Sequence, residues 1–205
     1  MRGLIPPDRM ESIQAGLPNS YELRERIPHF GALAAATPPR GIGMREFQAR
    51  LGFVDGWHML NQARSALVES DACRVFYAEF QLNPTEALHR PRFYLDDAAL
   101  RLYSSCERPC RSVLRYWNLP TPTRPTDSGS RPSPLIGVVI DAVQSAGLRV
   151  VSKDVGNILR RFRSNREWRA LTLYQHKWVH DEVPAVEGLK GKVTFERFDD
   201  ICFGR

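Results

Sequence analysis

Residues 57–82, "WHMLNQARSALVESDACRVFYAEFQL", repeat Leu60, Ala63, Leu67, Ala72, Val75, Phe76 and Phe80 at spacings near three and four. A helical residue advances about 100° around its axis, so side chains at those intervals share one face and can be buried together. The pattern predicts a long helix that starts near Gly56 and stops at Asn83 and Pro84.

The same period continues outward. Residues 94–118, "YLDDAALRLYSSCERPCRSVLRYWN", align Leu95, Ala99, Leu102, Val113, Leu114 and Trp117 on one face. Pro109 has no amide hydrogen to give, which predicts a kink. Asp96 and Asp97 fall in the first turn of the helix so read, where negative charge offsets the dipole. "PLIGVVIDAVQSA", with Ser133 as N-cap, Pro134 as first residue and Gly147 as the end, is apolar on nearly all sides and belongs in the middle of a core. "SKDVGNILRRFRS" reads as a short basic helix. "SNRE", residues 164–167, is a capping box for a last long helix that Pro184 ends.

The flanks differ. Residues 1–43 carry Pro6, Pro7, Pro18, Pro28, Pro38 and Pro39 and read as a Pro-rich irregular arm, with "MREFQARLG" as one short helix within or after it. Residues 119–134 hold five prolines and no apolar period, the signature of a mobile loop. The tail, residues 185–205, alternates weakly and reads as one strand or an extended strip. The fold class is all-α: a bundle of four to five helices over residues 44–184 with little or no sheet.

Composition sets outer limits. The chain has 205 residues, 42% apolar and 25% charged, as expected of one soluble folded domain. Its longest apolar run, "LIGVVI", is far short of the roughly 18 residues of a membrane span. The first residues lack the apolar stretch of a secretory signal, which points to the cytoplasm and to cysteines kept as buried thiols. The net charge of +6 is almost wholly arginine, with lysine at Lys153, Lys177, Lys190 and Lys192. Arginine forks match phosphate, so nucleic acid is a permitted partner.

Function turns on "WRALTLYQHKWVHDEVP", residues 168–184. As a helix it puts Arg169, Leu173, His176 and His180 within a stripe of about 60°. Trp168, Leu171, Tyr174, Trp178 and Val179 take the opposite, core side, and Gln175 falls within that apolar arc. Three readings compete. A histidine can move a proton at neutral pH while arginine stabilises phosphorane charge, and RNA brings its own 2′-hydroxyl nucleophile, so a ribonuclease face calls for no cofactor. Alternatively, two histidines four apart could join Cys106 and Cys110 of "CERPC" around zinc. In the third reading the histidines are helix surface balanced by Asp181 and Glu182.

Two pieces resemble the HEPN superfamily of helical-bundle proteins from bacterial toxin, defence and RNA-processing systems: "LDDAALRLYSSCER", residues 95–108, and "YQHKWVHDEVP", residues 174–184. The resemblance spans about residues 50–184. It implies an up-and-down helical bundle, a homodimer with arginine and histidine from both subunits at a shared cleft, and binding of RNA or a nucleotide or metal-independent cleavage of RNA, with an antitoxin or nucleotidyltransferase as partner. Carried over by position, His180 takes the place of the family histidine, and Gln175 stands where the family has arginine. Arg169 with His176 satisfies a looser spacing. The resemblance therefore names His180, His176 and Arg169 for catalysis, and Gln175, Lys177, Arg160, Arg161 and Arg163 for RNA contact. The rival reading is a catalytically inactive helical module for protein association.

Overall fold

Pro6 is extended and Pro7 sits in the first helical turn, where a missing amide hydrogen costs nothing, so the chain enters α1 at Pro7–Ala15. The short helices α2, Ser20–Glu25, and α3, Phe30–Leu33, follow. The structure, a computed structural model, describes residues 2–26, 30–33, 43–119, 135–145 and 151–176. Within these residues the segment expected to be irregular is mostly helical, because Pro6 and Pro7 fall at a helix start and Pro18 between helices. It does lie over the bundle: Ile5 and Met10 are buried against Val68 and Ala72.

The long helix α4 covers Met44–Val75. "MREFQARLG" is therefore its opening turns and not a separate piece, since no proline or cap separates residue 52 from Gly56. After Val75 comes one π-helical turn, Phe76–Phe80, in which the Gln81 amide donates to the Phe76 carbonyl at 2.9 Å. Leu82 adopts φ 47° at the corner. The Asn83 side-chain oxygen accepts from the Glu86 amide at 3.1 Å, so Asn83 and Pro84 start the next helix more than they stop the previous one.

That helix, α5, is Pro84–Tyr116 and runs through both Pro91 and Pro109. Asp96 and Asp97 consequently lie well inside it, far from its N-terminal dipole. They pair one turn back and one turn on: Arg92 Nε reaches Asp96 at 2.9 Å, and Arg101 Nε reaches Asp97 at 2.7 Å.

α4 and α5 run antiparallel, as their contacts show: Gly52 meets Ser112, Gly56 meets Pro109 and Ser105, and the Ser70 hydroxyl donates to the Pro91 carbonyl at 2.8 Å. The approach is close because α4 offers glycine there. A Cβ on Gly56 would stand 2.9 Å from the Pro109 ring and from the Ser105 carbonyl oxygen. The ring expected to disrupt α5 is thus held against a backbone that makes room for it.

α6, Leu135–Ser145, occupies the centre as its composition predicts: Ile136, Val139, Ile140 and Val143 are buried with Cys110, Leu114 and Trp168. α7, Val151–Ser164, and α8, Arg166–His176, close the bundle. The cap of α8 is Asn165, whose side-chain oxygen accepts from the Trp168 amide at 2.8 Å, while Ser164 donates to the Arg161 carbonyl. The expected capping box is thus replaced by a simple Asn165 cap one residue later. No strand occurs among the described residues, and no helix there is long and apolar enough to cross a membrane. Ser133, Pro134, Gly147, Trp178, Val179, Pro184, residues 120–134 and the tail at 185–205 lie outside the described residues.

Candidate functional site

α8 is oriented by its inner face. Trp168 stacks on Tyr103 of α5, ring centroids 5.4 Å apart and planes 4° from parallel, and Phe162 of α7 leans on the same indole at 4.8 Å. One and a half turns on, the Tyr174 hydroxyl donates to the buried Asp96 carboxylate, and the Arg92 guanidinium lies 5.7 Å from the Tyr174 ring centre. Arg92 and Tyr174 together satisfy a carboxylate that would be costly to bury alone. Burial first, and then the hydrogen bond to Asp96, push the Tyr174 hydroxyl up to about 12.

With that face inward, Arg169 and Leu173 are exposed, as the stripe requires, and the backbone position of residue 176 continues the same face. Gln175 is half-buried, in line with its place in the apolar arc. The His176 ring, Lys177 and His180 lie outside what is described. On α7, Arg160, Arg161 and Arg163 are exposed. Arg160 donates to the Asn157 side chain at 3.0 Å, and the Arg163 guanidinium lies over Gly137 of α6. No carboxylate among the described residues pairs with Arg160, Arg161, Arg163, Arg166 or Arg169. By contrast Arg9, Arg90, Arg92, Arg101 and Arg108 all hold carboxylates.

Cys106 and Cys110 lie one helical turn apart, both as free thiols. Burial pushes Cys106 up to about 11 and Cys110 up to about 12, so both are protonated and unreactive at neutral pH. Among the described residues no group of three or more metal-binding side chains converges.

Among the described residues lies a cleft that the sequence does not announce. Leu102, Ser105, Cys106 and Pro109 of α5 form its floor. Phe53, Gly56, Trp57 and Leu60 of α4 form one wall, with Phe30 of α3 edge-on to Trp57 at 5.1 Å. Phe162, Asn165, Glu167, Trp168 and Leu171 form the other. The cleft holds about 580 Å³, within the range of small-molecule sites. Its signal was present as a second stripe on α4, Phe53, Gly56, Trp57 and Leu60, but a face lining a cleft has the same spacing as one packed in a core.

No family model, curated protein or solved structure matches this chain.

Proposed function

We propose that this chain is an RNA-binding helical domain whose α7–α8 surface engages phosphates through Arg160, Arg161, Arg166 and Arg169. One observation supports it: the consecutive helices α7 and α8 present several exposed guanidiniums with no carboxylate partner among the described residues. Uncompensated, closely spaced charges of one sign repel each other, and an anionic backbone relieves that repulsion while releasing counterions. The HEPN resemblance gives the same expectation and adds a metal-independent nuclease step, with Arg169 as phosphate clamp and His176 or His180 as general acid or base.

Fluorescence anisotropy of a labelled single-stranded RNA across a salt series tests the binding. Each phosphate contact steepens the plot of log affinity against log salt by about 0.7. Replacing the four arginines by alanine should weaken binding and flatten that slope, while unchanged affinity and slope would rule out this surface. Cleavage is a separate readout. Activity in chelator that vanishes in His176→Ala/His180→Ala extends the reading to an endoribonuclease, and activity unaffected by that pair removes the catalytic assignment.

A further inference from the structure

We propose that the cleft between α4, α5 and α8 binds a small amphiphilic acid, its apolar body between Trp57 and Trp168 and its carboxylate on Arg24. This site is separate from the arginine face of α7–α8 and does not depend on it.

The lining decides the body of the ligand. Five aromatic side chains, Phe30, Phe53, Trp57, Phe162 and Trp168, enclose the space. Few polar groups stand among them, and two are engaged: Ser105 donates to the Leu102 carbonyl at 2.7 Å, and the Asn165 side-chain oxygen caps α8. A nucleobase or sugar would bring more donors and acceptors than this lining can answer. A hydrocarbon or plain aromatic body has no such groups and gains from every apolar area it covers.

The head group is decided by Arg24. Its guanidinium lies 5.3 Å from the Phe30 ring centre and 6.0 Å from that of Trp57, two residues of the cleft wall. A cation is already on those rings, so a second cation is repelled. An exposed guanidinium over these rings has N–H groups to offer a carboxylate, which it can meet through two parallel bonds. No carboxylate among the described residues takes that place. Glu167, exposed on the opposite wall, repels an acid there and so favours entry with the head towards Arg24.

The test uses the full chain with monomeric dodecanoate, dodecylamine and dodecanol, followed by tryptophan fluorescence and by calorimetry. Expected is saturable binding of dodecanoate at one site per chain, at least tenfold tighter than that of the amine. Arg24→Met, which keeps an apolar stem at an exposed position, should weaken dodecanoate about tenfold and leave dodecanol unchanged. Leu60→Trp should fill the cleft and reduce binding of both, with circular dichroism reporting whether it folds; Arg24→Met decides the matter if it does not. Equal affinity for acid and amine overturns the head-group assignment. Absence of saturable binding by folded protein, binding only to anionic vesicles, or affinity that rises on dilution as a second copy leaves the cleft, would each overturn the site.

Discussion

Tyr103 and Trp168 lie face to face, 5.4 Å apart and within 4° of parallel, and this one contact sets the rotation of α8 on α5. With the indole inward, its free edge lines the cleft and the next residue, Arg169, faces solvent. Trp168→Ala removes a large buried ring and should destabilise the domain by about 3–5 kcal/mol. Urea unfolding followed by circular dichroism measures it. A loss below 1 kcal/mol would mean that α8 is held by something other than this stack.

Alkali should unfold the protein earlier than its charge alone suggests. Tyr174 is raised from 10.0 to about 12, Cys106 from 9.0 to about 11 and Cys110 from 9.0 to about 12, in each case chiefly by burial. Between the unfolded and folded values the native state keeps protons that the unfolded chain has released. Stability is therefore intact below about pH 9 and falls as pH rises towards 12. Urea midpoints at stepped pH should show this decline, and Tyr174→Phe, which cannot ionise, should make it shallower. The same substitution removes a donor from buried Asp96 and should cost about 1–3 kcal/mol at neutral pH.

Gly56 is required by contact and not by backbone angle. Its added Cβ would press on the Pro109 ring and on the Ser105 carbonyl at 2.9 Å, and a carbonyl in a helix has little freedom to withdraw. Overpacking costs about 1–3 kcal/mol, and alanine regains about 0.5–1 through helix propensity. Gly56→Ala should therefore lose about 1–2 kcal/mol, read as a lower urea midpoint.

The two α5 cysteines should resist modification. At neutral pH iodoacetamide should label Cys106 and Cys110 slowly in native protein and rapidly in urea, because burial keeps both as thiols. Peptide mapping resolves the sites. Rapid native labelling of Cys110 would contradict its buried place beside Leu114.

Helix content and facing were legible wherever burial repeats with the helical period. Ala63, Ala72 and Val75, the all-round apolar α6 and the inward Trp168 follow from local spacing, since one buried face is enough to select a helix, whereas Phe80 and Leu95, placed on the same stripes, are exposed. Boundaries were less legible. "MREFQARLG" joined α4, where Gly52 and Gly56 are contact points with α5, and Asp96 lost its supposed terminal role because α5 begins at Pro84.

By itself, the sequence determined that these segments are helices and which side of each is apolar, because a helix's own side chains recur on one face within a few residues. Only the tertiary structure decided that α4, α5 and α8 enclose an aromatic cleft, that Arg24 reaches its wall, and that Asp96 is answered by Tyr174 from 78 residues away. Those pairings depend on how closely helices approach. That distance is set by the missing side chain of Gly56 and the bulk of Pro109, residues far apart in the chain whose meeting no local period encodes.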